Sequence, residues 1–479
     1  MKQKPSTAIW EVTMGCNMRC AHCGSSCKEP LPDELTTDEA LSLVDQIAEL
    51  GLKWITISGG EPLTRVDLPI IIERFVSHSI VVNIITNGWL LEPQMAEKLK
   101  NSGVSTIAIS LDGTEKTHDK IRQEGSYERI FKAFKALQEV GIATGAVTTI
   151  SNENIGELPE MRKILTDNGI KSWQLQIGFP MGNFKDHPEW VVAPEKMNDI
   201  IDFCYETSME GQINIYPADC IGYYSEKEQK IRQNTSRSDF KSIWQGCNAG
   251  VHVFGILHNG DIIGCTSIRD TSFIEGNIRD KSLNDIWNNP ENFTWCRNMT
   301  KDKLTGNCSI CNYGSICLGG CPNTRLTMNG DIYSENKYCS YNLALKNIKE
   351  SLQESTDVDQ LIALARTSIS QKNYQTAALF TERVLAIEPE NQEALSLSGF
   401  AEFMCGNYIK CEQINRKVLQ INPNDVYAIK GLGLALHKQG NSSQGLEFLE
   451  RAAKLTNYED SDIMHDLAYV KQEMSLKVG

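Results

Sequence analysis

"AIWEVTMGCNMRCAHC", residues 8–23, joins a short apolar run to three closely spaced thiols. The run reads as a β-strand, and Cys16, Cys20 and Cys23 follow it as C-x3-C-x2-C; with Cys27, four cysteines fall within twelve residues. A strand that runs out into a thiol-bearing loop sets that loop at the C-terminal edge of a sheet, where parallel α/β folds bind their ligands.

The chain beyond repeats the same grammar. The runs "WITISGG", "VVNIITNG", "STIAISLDG", "ATGAVTTI" and "SWQLQIG" alternate with amphipathic segments such as "TTDEALSLVDQIAELG" and "ERIFKAFKALQEVG". The first of these helices opens at Thr37 ahead of Asp38 and Glu39, which suit the positive end of a helix, and stops at Gly51. Strands alternating with helices predict a parallel sheet with right-handed crossovers. Six of them fit a partial (β/α)6 barrel, or an open doubly wound sheet, over residues 1–215. The polar, glycine-rich ends Ser58–Glu61, Thr86–Gly88 and Ser110–Gly113 all fall on its ligand-binding side.

A chain of 479 residues exceeds what one core supports, so two or three domains are expected. A net charge of −14 argues against a general nucleic-acid binder. No signal-peptide core and no run of eighteen apolar residues is present, which predicts no membrane span and a cytoplasmic location. Sixteen cysteines in a reducing compartment point to metal ligands before disulfides.

Three thiolates on one loop suit three irons of a [4Fe–4S] cluster and leave the fourth iron for an outside ligand. Zinc wants four ligands, and His22 lies too close to Cys23 to complete a set comfortably; Cys27 remains a conceivable fourth ligand. The spacing resembles that of the radical S-adenosylmethionine (radical SAM) superfamily, where an aromatic residue usually precedes the third cysteine, as His22 does. "SGGEP" (58–62), "TNG" (86–88), "SLDG" (110–113) and "HDKIRQEGSYERI" (118–130) resemble the superfamily's later segments in the same order. The resemblance implies an S-adenosyl-L-methionine (AdoMet) site formed by Gly59, Gly60, Glu61, Asn87, Ser110 and Arg122. The glycine main chain would meet the amino group of the methionine moiety, and Arg122 would meet its carboxylate. Taken alone, Glu61 equally suits a solvated turn, and Arg122 a surface charge. The implied chemistry is reductive cleavage of AdoMet to a 5′-deoxyadenosyl radical that abstracts hydrogen from an unactivated C–H.

Residues 216–345 read as loop-rich and hold a second cysteine series. Cys247 and Cys265 bracket Gly260; Cys308, Cys311, Cys317 and Cys321 form C-x2-C-x5-C-x3-C; Cys339 ends the set. This order resembles the SPASM extension of radical SAM enzymes and implies two auxiliary [4Fe–4S] clusters. Cys308, Cys311, Cys317 and Cys339 would hold one; Cys247, Cys265 and Cys321 would share the other, with Cys220 or an open iron as its fourth corner. A pair of zinc ribbons accounts for C-x2-C and leaves the rest of the order unexplained. Where sulfatase-maturing members carry an aspartate after the second cysteine, this chain has Thr266, which weakens a formylglycine-forming role.

Residues 346–479 repeat from about residue 358. Asn373, Asn407 and Asn441 are 34 apart, as are Pro389 and Pro423, Ala394 and Ala428, and Gly399 and Gly433. This period resembles tetratricopeptide repeats and predicts an all-α solenoid. Cys405 and Cys411 fall inside it as small apolar side chains. The whole reads as an oxygen-sensitive radical SAM enzyme served by an external one-electron reductant of flavodoxin or ferredoxin type. A peptide or protein substrate, recruited by the repeats, is the first expectation. A small-molecule or cofactor precursor, with the repeats assembling a complex, is the alternative. No residue stands out as a general base, and Gln174 and Gln176 on the sixth strand fit either face of the sheet.

Overall fold

A computed structural model describes residues 4–218, 220–235 and 245–476. The chain separates into two compact units, one of residues 1–305 with 316–340, the other of 306–315 with 341–479.

The first unit is built on one sheet. Its six expected strands are β1 (Thr7–Glu11), β2 (Trp54–Ser58), β3 (Val81–Thr86), β4 (Thr106–Ser110), β5 (Ala143–Ile150) and β6 (Ser172–Ile177), each parallel to the next. Alternate residues such as Ala8, Trp10, Ile55, Ile57, Ile107 and Ile109 are fully buried, which is the period-two pattern of a sheet covered by helices. The sheet continues past the six. β7 (Asn214–Pro217) adds to β6 in parallel, and β8 (Val253–Ile256) pairs in parallel with β1 on the opposite side. β9 (Asp261–Ile263) and β10 (Ile274–Asn277) extend it antiparallel, giving the order β10-β9-β8-β1-β2-β3-β4-β5-β6-β7. The barrel is thus partial, with β10 and β7 as edges. The loop-rich reading of residues 216–345 missed β8 to β10 because strands of three or four residues carry too little periodicity to register.

The first helix, α1, spans Thr37–Leu50, opening at Thr37 as expected, and its cap is the preceding Thr36. Thr36 Oγ1 accepts the Glu39 amide while the Glu39 carboxylate accepts the Thr36 amide, a closed capping box. Thr37 instead donates its hydroxyl to Asp67. Gly51, at φ 86°, ends the helix as expected.

In the second unit, helices recur at the sequence period. Val358–Ser370, Gln392–Cys405 and Val426–Lys438 begin 34 residues apart, and each is followed by a partner: Tyr374–Ile387, Tyr408–Ile421 and Ser442–Leu455. Asp357, Asn391 and Asp425 cap the leading helices through side-chain oxygens. A cation also repeats: Arg383, Lys417 and Arg451 donate to the carbonyls of Ser355, Pro389 and Pro423. Gly433 packs so closely that an added Cβ would meet the Gly445 carbonyl at 2.9 Å. Cys405 and Cys411 are buried within these helices.

Backbone crowding also joins β2 to the cysteine loop. A Cβ on Gly60 would lie 2.3 Å from the Gly15 carbonyl oxygen, while one on Gly156 would meet nothing within 4 Å. Gly60→Ala therefore should lower the melting temperature by about 5 °C or more, and Gly156→Ala should leave it within about 1 °C, as read by anaerobic thermal unfolding.

Candidate active site at the strand ends

The loop after β1 is closed at its base. Gly15 and Lys28 form an isolated bridge, with Cys16 N donating to Lys28 O (2.7 Å) and Lys28 N to Met14 O (3.1 Å). Cys16, Cys20 and Cys23 all lie inside this ring. Neighbouring strand ends hold it from four sides. From β2, Gly60 N donates to Thr13 O (2.7 Å) and Glu61 N to Gly15 O (2.8 Å). From β3, Asn87 Nδ2 donates to Asn17 Oδ1 (2.8 Å). From the segment after β4, Ile121 O accepts the Ala21 amide (2.8 Å). From the segment after β6, Asn183 donates its amide to Cys23 O and its side chain to Cys20 O. Gly182, at φ 53°, is required there, because a Cβ would strike Cys23 O at 2.4 Å.

Glu61 is neither solvated nor idle. It is fully buried, and its carboxylate accepts Leu63 N (3.1 Å), Thr86 Oγ1 (2.7 Å) and Asn87 N (2.7 Å). It thereby fixes the "TNG" turn against the "GGEP" turn. Burial raises its carboxyl, with these donors working against the rise. The glycines of "GGEP" serve first to let β2 touch the cysteine loop.

The Arg122 side chain is largely buried as well. Its Nε donates to Asp112 Oδ2 (2.5 Å), and its Nη1 stands 3.9 Å from Cys20 Sγ. Asp112, fully buried, is the hub. Oδ2 also accepts His22 Nε2 (2.9 Å), and Oδ1 accepts Thr149 N (2.8 Å). Its amide donates to His118 Nδ1 (3.1 Å), and its carbonyl accepts Asn154 Nδ2 (3.0 Å). Burial would raise the Asp112 carboxyl, yet the Arg122 guanidinium and His22 hold it well below the ordinary carboxylate range. Burial, then the nearby Arg122 cation, push His118 down to about 3. His118 is therefore a neutral imidazole with its proton on Nε2. Asp112 and His118 went unread in the sequence; the strand-end "SLDG" was the available signal. Ser110 is buried at the end of β4, two residues before this hub.

The sulfurs differ among themselves. Burial pushes Cys20 up to about 11 and also raises Cys16. A hydrogen bond from the Cys27 thiol lowers Cys23 to about 5. Among the described residues no three His, Cys, Asp or Glu side chains are gathered at metal-ligand spacing. The fit to a [4Fe–4S] cluster rests on the donor set. Three soft thiols share one tied loop, Met18 N points at Cys16 Sγ (3.4 Å), and Asn17 Nδ2 and His22 Nδ1 are buried without a protein partner.

In the second series, Cys247, Cys265, Cys317, Cys321 and Cys339 belong to the first unit, and Cys308 and Cys311 to the second. Ala249 N points at Cys247 Sγ (3.5 Å), and Tyr313 N at Cys311 Sγ (3.4 Å). Gln174 and Gln176 are both half-buried; Gln176 donates to Thr149 Oγ1 (3.1 Å).

Residues 10–165 match the radical SAM superfamily, and residues 247–312 match the SPASM iron–sulfur cluster-binding domain. The AdoMet-dependent heme synthase of Methanosarcina barkeri is 30% identical over 71% of this chain and 98% of its own length. The chain belongs to the radical SAM superfamily. It is an enzyme of the AdoMet- and [4Fe–4S]-using kind, with a SPASM region after its barrel. The mycofactocin maturase MftC of Mycolicibacterium smegmatis is 26% identical over 66% of this chain and 78% of its own. The fold also resembles that of Streptococcus suis SuiB bound to its precursor peptide SuiA, with a TM-score of 0.56 at 19% identity over 70% of this chain and 75% of that one. Among the described residues no helix of this radical SAM chain is long and apolar enough to cross a membrane.

Two outcomes test the hub. Asp112→Asn leaves Arg122 without its buried counter-charge and removes the carboxylate that His22 meets, so unfolding free energy should fall by about 3 kcal/mol or more in denaturant titrations. His118, depressed from 6.5 to about 3, contributes stability that is complete above pH 6.5 and is lost as pH falls toward 3. Stability should therefore fall as pH drops below 6.5, and His118→Gln should remove that part of the slope.

Proposed function

We propose that this enzyme modifies a peptide or protein. Cys16, Cys20 and Cys23 hold the AdoMet-binding cluster. Cys247, Cys265, Cys308, Cys311, Cys317, Cys321 and Cys339 hold two auxiliary ones. Gly59, Gly60, Glu61, Asn87, Ser110 and Arg122 form the AdoMet site. In this reading residues 1–215 carry the chemistry, 216–345 the auxiliary clusters and 346–479 the substrate-recruiting repeats, in the cytoplasm. When bound and reduced by a flavodoxin- or ferredoxin-like donor, the cluster and AdoMet supply a hydrogen-abstracting radical. The protein's part is positional. Asp112 and Arg122 hold the cysteine loop, the Glu61 carboxylate holds the two turns beside it, and burial of these groups keeps water from the strand ends. Held by those seven cysteines, the auxiliary clusters would supply an acceptor for the substrate electron, or a site for a substrate thiol, in forming a thioether, carbon–carbon crosslink or oxidised product.

The observation that favours a peptide is the second unit. Its 34-residue helical period leaves Leu364, Phe400 and Met404 exposed, apolar side chains on helices that a repeat array turns toward a partner. A SuiB structure bound to a precursor peptide supports peptide substrates for this fold. Replacing Cys16, Cys20 and Cys23 by Ala should abolish 5′-deoxyadenosine formation under strong reductant while auxiliary cluster absorption persists. A chain ended at residue 357 should retain uncoupled AdoMet cleavage but modify a precursor peptide with KM raised about tenfold or more. Unchanged kinetics would remove the recruiting role.

A second reading, a small cofactor precursor as substrate, is favoured by the match to nearly the whole length of a heme synthase. It predicts a Soret-band shift and faster 5′-deoxyadenosine formation when an iron porphyrin is added; no shift and no acceleration would exclude it. A formylglycine-forming role fits less well, since Thr266 is a buried side chain packed over Gly255 and carries no carboxylate.

A further inference from the structure

Cys220 lies just beyond β7, outside every cysteine motif that the sequence spacing defines. Its sulfur accepts the amide of Ile177, the last residue of β6, at 3.4 Å. It therefore sits at the strand ends, on the side where the AdoMet site lies. The next residues form a tight turn. Gly222, Tyr223 and Tyr224 have φ of 107°, 92° and 54°, a conformation that bulky side chains rarely adopt and that the surroundings must impose.

What imposes it is the segment bearing Cys321. Tyr223 is fully buried, and its hydroxyl accepts the Cys321 amide at 2.9 Å. Gly320, at φ 69°, passes so close that a Cβ would stand 2.6 Å from the Tyr223 ring. Ser340 N donates to Gly222 O at 3.3 Å, which draws the chain just after Cys339 to the same turn. Burial raises the Tyr223 hydroxyl, and Cys321, Cys220 and Cys317 raise it further. Cys247 reaches this place as well: a Cβ on the preceding Gly246 would meet the carbonyls of Ile316 and Cys317 at 3.1 and 3.6 Å. Cys220 is thus tied to the Cys321 segment through the Tyr223 turn, and the residue before Cys247 abuts the same segment.

Cys296 also lies outside the cysteine motifs, with Gly250 packed against its sulfur. Its role is different. Cys296 Sγ donates to the Phe293 carbonyl at 3.1 Å within its own helical turn, and burial raises it to about 12. Cys220 instead accepts an amide, as Cys16 and Cys247 do. A sulfur that receives N–H groups is arranged as a thiolate, the form that binds iron.

We infer that Cys220 is the fourth cysteine of the auxiliary cluster held by Cys247, Cys265 and Cys321, so that this cluster presents no open iron. The inference rests on the assignment of auxiliary clusters made above. Its consequence is a choice between the two auxiliary roles: a fully cysteine-ligated cluster passes electrons and does not bind a substrate thiol.

The test uses the full chain carrying Cys16, Cys20 and Cys23 all changed to Ala, so that only auxiliary clusters remain, reconstituted anaerobically. Iron is counted, and the reduced protein is examined by EPR and Mössbauer spectroscopy with and without added cyanide. The parent should hold about eight irons and show signals that cyanide leaves unchanged. Adding Cys220→Ala should make one auxiliary signal cyanide-sensitive, or convert one cluster on mild oxidation to a three-iron form with about one iron lost. Adding Cys296→Ala should change nothing. A parent whose signal shifts with cyanide already has an open iron and overturns the inference without recourse to any Cys220 variant. So does a Cys220→Ala protein whose spectra and iron content equal the parent's. A parent that binds no auxiliary iron at all would sink the auxiliary-cluster assignment itself, and this inference with it.

Discussion

Asp112 sits in the dry end of the barrel and uses every polar atom it has. Its carboxylate takes the Arg122 guanidinium, His22 and the Thr149 amide, while its backbone binds His118 and Asn154. An isolated carboxylate in that position would be costly, and full satisfaction is what makes it tolerable. Because His22 lies within the cysteine loop and Arg122 reaches Cys20, the same carboxylate sets where the loop rests on the sheet. The thiols are thus positioned by a charge network anchored on β4 and β5, and not by their own short loop alone.

A second constraint acts through bare backbone. Gly59, Gly60 and Gly15 bring two main chains to hydrogen-bonding distance, and Glu61 ties the result to the β3 turn. Together with Gly182 against Cys23, these contacts close around the loop from both sides of the sheet. Glycines that the superfamily resemblance assigned to AdoMet therefore also carry a structural duty. Substitutions there test packing and cofactor binding at once, so a loss of activity alone would not separate the two.

The two units divide the labour by different physics. The first relies on non-local strand pairing and buried charge. The second repeats one local solution: a side-chain cap at Asp357, Asn391 and Asp425, small residues where helices cross, and a cation on the carbonyl 28 residues earlier. Such an array gains stability from nearest neighbours. Membership of the radical SAM superfamily covers the first unit's barrel. Relatives named for heme synthesis and for mycofactocin maturation show how little that barrel dictates about the substrate, which is the usual relation of a fold to its function.

The sequence by itself determined the parallel strands, the thiol loop at their C-terminal ends, the second cysteine order and the 34-residue period. These are signals written in local spacing: alternation of two, helical amphipathicity, and ligands a few residues apart. Only the tertiary structure decided the rest. Glu61 and Arg122, read as AdoMet-site residues or equally as exposed ones, have in the sequence nothing beside them that reveals their burial. Asp112, His118 and His22 lie up to 96 residues apart in the sequence and meet only when β4 folds beside the β1 loop. Thr36, not Thr37, caps α1, since a choice between adjacent threonines is made by the geometry of one turn and by Asp67 claiming the other hydroxyl. β8 rejoins β1 from some 240 residues away, a pairing that short strands cannot announce and that the free edge of the open barrel requires.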